Sequence, residues 1–251
     1  MFPEYSDMEF TVKGTDCAEG GKLLPNMLLS YLQETADKGA GDCGLDRTVI
    51  NKLDSSWIIL RIRVHIDDLP RWRDRFTVRT WSTGVKKFFF DREFEVYDKD
   101  MRRIAYASSV WILADLNTHR PLIPDRIPGL PEIRSQQDTL VFGEMTPKMK
   151  IPLKETFTGK PDIIKYADYS DIDHNHHVNN TRYLAWATDA FDKHGLDLND
   201  ISDLSVYFES EVKKGEKIDL FVSDDDMTSE THVYGYSTGD RGVFATTIKL
   251  R

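Results

Sequence analysis

The stretch YSDIDHNHHVNNTRYLAW, residues 169–186, gathers two aspartates, three histidines and three asparagines directly ahead of an apolar helical pattern. Groups this dense could bind a cation, cap a helix or transfer protons, and their spacing separates the three. Asp171, Asp173 and Asn175 stand at positions 1, 3 and 5 of a would-be calcium loop, but positions 6 and 12, which such a loop fills with glycine and glutamate, are His176 and Arg182. Zinc is disfavoured because adjacent imidazoles of an extended chain point to opposite sides and no HExxH spacing occurs. The expectation is no metal and no cofactor. Asn179, Asn180 or Thr181 can cap the helix, and the aspartates suit its positive end. Capping leaves Asp173, Asn175 and His177 unexplained: alternate positions of an extended segment put a carboxylate, an amide and an imidazole on one side, as acid–base chemistry requires.

The elements that position this row follow from periodicity. A helix from about Thr181 to His194, closed by Gly195, shows its spacing in Tyr183, Ala187, Ala190 and Phe191. A strand at DIIKYADYS precedes it, and LSVYFESEV, KIDLFVS, THVYGYS and VFATTIKL follow as strands. The first half has the same order. A strand around MEFTVKG leads to a helix in which Leu28, Tyr31, Leu32, Thr35 and Ala36 repeat at helical spacing, with Pro25 in its first turn and Gly39 at its end. Strands at WIILRIRVHI, RFTVRTWS, FFFDREFEVY and RIAYASSVWIL come next, with YDKDMR as a hairpin turn; in the first, Ile58, Leu60, Ile62, Val64 and Ile66 alternate with mostly polar neighbours. Seven of the ten prolines lie between Pro121 and Pro161, and proline cannot donate to a sheet or helix, so this stretch reads as a connector. The predicted organisation is a first domain over 1–115, a Pro-rich linker over 116–162 and a second domain over 163–251. The class is α+β, each half an antiparallel sheet packed on one long helix. The residues of the halves are not alike, so the repeat is one of pattern.

SDIDHNHHVNNTRYLAW closely resembles the segment of acyl-acyl carrier protein thioesterases with the pattern Asp-x-Asn-x-His-Val-Asn-Asn followed by Tyr and Trp. LSVYFESEV resembles the segment that carries the family's catalytic glutamate, which falls on Glu211. TWSTGVKKFFFDREFEVYD, running to ASSVWILADLNTHRPLIP, resembles its first-half strands and its Trp-rich and Thr-x-Arg segment. The likeness spans nearly the whole chain. It implies a tandem (double) hotdog fold, an acyl-binding first half, and a catalytic set of Asp173, Asn175, His177 and Glu211 in the second. Plant members commonly carry cysteine after the glutamate, where this chain has Val212; neither Cys17 nor Cys43 lies in a matching motif, and no GxSxG elbow is present. Attack therefore falls to water.

Thioester hydrolysis needs a nucleophile, a proton acceptor and donors for the developing oxyanion. In this reading Glu211 is the general base, Asn175 orients the water or the thioester, His177 polarises the carbonyl or assists proton transfer, and Asp173 holds the asparagine and histidine. Backbone N–H groups near Val178 to Asn180 would add to the oxyanion site. The resemblance also implies an acyl tunnel in the first half, with Leu28, Tyr31, Leu32, Trp57 and Ile59 as liners. These would be apolar core in any folded domain, so chain length cannot be read from them.

With 251 residues, 40% of them hydrophobic, the chain can bury one large core or two. Its formal charge of −9 argues against nucleic-acid or anionic-membrane partners. The implied partner, acyl carrier protein, is acidic as well, so docking would rest on local clusters: Arg71, Arg73 and Arg75, Lys86 and Lys87, Arg102 and Arg103, and above all Lys213 and Lys214 just beyond Glu211. Two cysteines with no paired spacing fit a reducing cytoplasm, and no apolar run approaches the ~18 residues that span a membrane. The sequence leaves homodimer formation open. An acyl-CoA thioesterase is the nearest rival, and a non-catalytic hotdog module that senses acyl thioesters is a rival of another class, which would not need the acid–base set. A dehydratase would need a histidine-glycine-proline-rich segment not found in the chain.

Overall fold

The computed structural model describes residues 3–133 and 135–251. The described residues divide into two compact units, one within 3–24 and 28–146, the other of 25–27 and 147–251.

In the first unit, β1 (Ser6–Thr11) leads through a 3-10 turn (Gly14–Asp16) to α1 (Pro25–Asp42), the short α2 (Arg47–Asn51), and four strands: β2 (Ser55–Ile66), β3 (Arg75–Lys86), β4 (Phe89–Asp98) and β5 (Arg103–Asp115). They pair antiparallel in the order β1-β3-β4-β5-β2. Leu28, Leu29, Leu32 and Ala36 bury one face of α1, each leucine contributing roughly 1.5–3 kcal/mol. That burial stabilises a helix whose N-cap, Leu24, offers no side-chain cap. Gly39 does not end α1, contrary to the sequence expectation. The helix runs on to Asp42, and a Cβ at Gly39 would stand 2.9 Å from Thr80 Cγ2, so this glycine permits close packing; Gly44, at φ +71°, makes the exit. In β2 the alternation is broken by a bulge between Ile59 and Arg61, which buries Arg61 with its Nε donating to the Thr146 carbonyl at 2.7 Å.

In the second unit, β6 (Ile163–Tyr166) and a 3-10 turn (Tyr169–Asp171) precede α3 (Asn180–Lys193), then β7 (Ile201–Phe208), β8 (Lys217–Asp225), β9 (Glu230–Tyr236) and β10 (Gly242–Leu250). The antiparallel order is β7-β10-β9-β8-β6. Asn179 caps α3 by accepting the Thr181 N–H at 2.9 Å. The buried face of α3 includes Tyr183, Trp186, Ala187 and Phe191, and the Tyr183 ring meets Phe208 and Phe244 with centroids 5.8 and 5.3 Å apart.

The two units repeat one hydrogen-bonded frame atom for atom. Ala18 donates to the Lys22 carbonyl at 2.8 Å and Asp173 to that of His177 at 2.9 Å; Gly21 donates to Ala18 and His176 to Asp173; Leu24 donates to Asp16 and Asn179 to Asp171. Leu23 donates to the Pro70 carbonyl and Val178 to that of Val212, both at 2.9 Å. The left-handed residues correspond too: Gly21 with His176, Arg73 with Gly215, Met101 with Asp240. The duplication is therefore one of backbone geometry as well as of element order.

Candidate active site

In the second unit a 3-10 turn aims the chain at the site. Buried Asp171 accepts the Asp168 N–H at 2.9 Å and Arg182 Nε at 2.6 Å, while its carbonyl accepts the Asn179 N–H. Asp173 to His177 then form a tight turn, not the extended row expected from the sequence. The Asp173 N–H donates to the His177 carbonyl, Asp173 Oδ1 accepts the Asn175 N–H at 2.7 Å, and His176 takes φ +66°. The turn brings residues 173, 175 and 177 together by folding back on itself, with flanking Ile172 and Val178 bridged.

Glu211 arrives from beyond β7. The N–H groups of Glu209 and Ser210 both donate to the Val243 carbonyl and Ser210 Oγ donates to that of Gly242, a local irregularity that turns the chain away from β10. The Val178–Val212 hydrogen bond then seats Glu211 beside the turn, and His177 Nε2 lies 3.2 Å from Glu211 Oε2. The imidazole is only 19% exposed and the carboxylate 41%, so the pair is anchored on the histidine side and open to solvent on the glutamate side. A water could reach Glu211 there, and a carboxylate and an imidazole this close to one another and facing solvent are suited to proton transfer.

His177 and Glu211 meet directly, Asp173 and Asn175 share the turn, and the Asn175 side chain is exposed at its tip. The backbone donors expected at the start of α3 are mostly occupied: Val178 N–H by Val212 and Asn179 N–H by Asp171. In the first unit Leu28, Leu32 and Ile59 are buried, Tyr31 donates its hydroxyl to Asp16, and Trp57 Nε1 donates to the Leu45 carbonyl at 3.1 Å. Lys213 and Lys214 are exposed, with Lys214 Nζ 5.5 Å from the centre of the Tyr169 ring. Two residues that sequence reasoning did not place at the site touch its frame. The Tyr183 hydroxyl accepts the Val212 N–H at 3.1 Å, and Arg241 Nη1 donates to the Glu211 carbonyl at 3.0 Å. Tyr183 was hidden in the helical spacing of α3; Arg241 sits in the β9–β10 hairpin, where no local pattern marks it. Among the described residues no three His, Cys, Asp or Glu side chains are gathered so as to hold a metal ion.

The chain matches the acyl-ACP thioesterase N-terminal domain over residues 4–128 and the C-terminal domain over 164–249. It is 25% identical over 214 residues to a chloroplastic palmitoyl-acyl carrier protein thioesterase of Gossypium hirsutum, covering 82% of this chain and 52% of that one. It thus spans about half the length of the curated relatives it first matches. Among solved structures, an acyl-ACP thioesterase from Bacteroides thetaiotaomicron superposes with a TM-score of 0.81 at 25% identity, covering 99% of this chain and 98% of that one. The 12:0-ACP thioesterase from Umbellularia californica shares the fold, with a TM-score of 0.80 at 18% identity over 100% and 98% of the two chains. Matched by both domains in order along most of its length, the chain belongs to the acyl-ACP thioesterase family.

Proposed function

We propose that this protein hydrolyses the thioester of fatty acyl-acyl carrier protein, releasing the free fatty acid and the carrier thiol. The observation that carries the reading is the 3.2 Å approach of His177 to Glu211 from two separate segments, on the solvent-facing side of the Asp173–His177 turn. Glu211 takes a proton from water as the water oxygen attacks the carbonyl carbon; the C–S bond then breaks, and the proton passes to the departing thiolate. His177 orients Glu211 and assists the transfer, the Asn175 amide faces the reacting carbonyl, and Asp173 holds the turn through the Asn175 N–H. The acyl chain is taken up by the first unit, where Leu28, Tyr31, Leu32, Trp57 and Ile59 are the candidate contacts. Lys213 and Lys214 meet the acidic carrier. Cys17 and Cys43 are free thiols, consistent with action in a reducing compartment such as the cytoplasm.

The test is thiol release from acyl chains of several lengths, carried either on acyl carrier protein or on CoA, by wild type, Glu211→Gln and His177→Ala. Wild type should release the carrier thiol faster than the CoA thiol. Removing the base should lower kcat by about 100-fold or more. Normal rates in both folded variants would exclude this chemistry, and faster turnover of acyl-CoA would reassign the carrier.

A further inference from the structure

The duplicated frame allows the catalytic half to be compared, position by position, with a half that lacks the catalytic side chains. Where the second unit has Asp173, Asn175, His177 and Glu211, the matching hydrogen bonds in the first place Ala18, Gly20, Lys22 and Leu69. One more pair changes with them. Val212 corresponds to Pro70, since each carbonyl accepts the N–H that precedes the helix, and Tyr183 corresponds to Leu28 in the first turns of α3 and α1. Proline has no N–H, so the first unit needs no acceptor there, and an apolar leucine suffices. Val212 is fully buried and its N–H would be orphaned without the Tyr183 hydroxyl. Burial pushes the Tyr183 phenol up, with the Glu211 charge acting in the same direction, so the group stays a neutral hydroxyl.

Arg241 grips the same segment from the other side. Its Nη1 donates to the Glu211 carbonyl, its Nη2 to Glu216 Oε2 and its Nε to Ser237 Oγ, at 3.0, 3.0 and 3.1 Å. Glu216 Oε1 in turn accepts the Lys213 N–H at 2.9 Å, closing the turn that follows Glu211. The counterpart of Arg241 in the first unit, Arg102, makes the equivalent Nε bond to Asp98 at 3.0 Å.

We infer that Tyr183 and Arg241 are positioning residues for Glu211, holding the peptide that follows it by its two opposite edges, Tyr183 at the Val212 N–H and Arg241 at the Glu211 carbonyl, so that its carboxylate stays in register with His177. The inference rests on Glu211 being the proton acceptor. The clamp works through the backbone, so its loss should lower kcat while leaving binding of a thioester nearly unchanged.

The experiment uses the full chain and a short soluble acyl thioester, comparing Tyr183→Phe, Arg241→Met, Arg241→Lys and Glu211→Gln, with circular dichroism and thermal midpoints as a folding check. Tyr183→Phe and Arg241→Met should each lower kcat about 10-fold or more with KM little changed, since a misplacement on the order of 1 Å is enough for such a loss. Arg241→Lys should recover part of the rate. Should Tyr183→Phe fail to fold, the two Arg241 variants carry the test. Folded Tyr183→Phe and Arg241→Met with normal kcat beside an inactive Glu211→Gln would overturn the clamp alone. A fully active Glu211→Gln would overturn the clamp together with the proton-acceptor role beneath it.

Discussion

Leu69 and Glu211 hold the same place in two copies of one frame: each precedes a residue whose carbonyl accepts, at 2.9 Å, the N–H that leads into a helix. The first unit keeps the geometry without the titratable pair, with Leu69 and Lys22 where the second has Glu211 and His177. The proposed chemistry therefore predicts one reacting centre per chain. Calorimetric titration of Glu211→Gln with a non-cleavable acyl thioether of the carrier should give one site per chain, and Lys22→Ala should leave turnover unchanged. Two equivalent sites, or loss of activity on changing Lys22, would contradict the assignment.

Glu93 makes the first unit sensitive to pH. It is fully buried on β4, its Oε1 accepting Ser108 Oγ at 2.8 Å and its Oε2 the Val141 N–H at 3.0 Å. Burial pushes its carboxyl up to about 7, and the neighbouring Asp91 adds to the rise; the two hydrogen bonds and Lys86 oppose it. Between the ordinary glutamate range and pH 7 the unfolded chain loses this proton while the folded one keeps it, so stability falls as pH rises through that window. From an ordinary value of 4.5 to about 7 the difference is about 3 kcal/mol. Urea midpoints at pH 5 and pH 8 should differ accordingly, and Glu93→Gln should shrink the difference. Asp91, also raised by burial, would account for what remains. An unchanged pH dependence in Glu93→Gln would rule out Glu93 as its source.

Both long helices and the strands after them were legible because their signals are local: a 3.6-residue period in Leu28, Leu32 and Ala36, a two-residue period in Ile62, Val64 and Ile66. The departures all have long-range causes. Gly39 looks like a helix stop until Thr80 packs against it. Arg61 and Glu93 look like solvent-facing strand residues until residues 141–146 cover them. At the site, residue types pointed to Asp173, Asn175, His177 and Glu211, but no sequence rule for an extended segment foresees a turn that needs a histidine at φ +66°. Tyr183 and Arg241 act through backbone groups of other residues, a kind of contact that leaves no trace in spacing.

Packing against Gly235 differs in kind from packing against Gly39. A Cβ at Gly235 would stand 2.2 Å from Cε1 of the fully buried Phe244 ring on the adjoining strand, whereas at Gly39 the closest atom belongs to the flexible end of Arg92. An aromatic ring in a dense core has nowhere to move. Gly235→Ala should therefore cost about 1–3 kcal/mol or more, and more than Gly39→Ala, as read by urea unfolding. Phe244→Leu in the Gly235→Ala background should recover part of the loss. Equal costs at the two glycines would show that the ring yields more easily than its burial implies.

Lys213 and Lys214 lie two and three residues beyond Glu211, and their side chains are exposed on a turn whose backbone is tied down by Glu216. Charge at this spot can act on a large anionic partner over a Debye length of about 8 Å, while a small neutral thioester feels little of it. Reversing both lysines to glutamate should raise KM for the carrier-bound substrate by about 10-fold or more at low salt, the equivalent of roughly 1.4 kcal/mol. The rise should shrink as salt is added, and kcat/KM on a small acyl thioester should hold. Tyr169, over which Lys214 lies, offers a control: Tyr169→Ala removes the ring without changing charge and should leave the salt dependence intact. A parallel fall on both substrates would place the two lysines in the chemistry or the folding of the site, because a docking contact has no means of slowing a substrate that carries no partner.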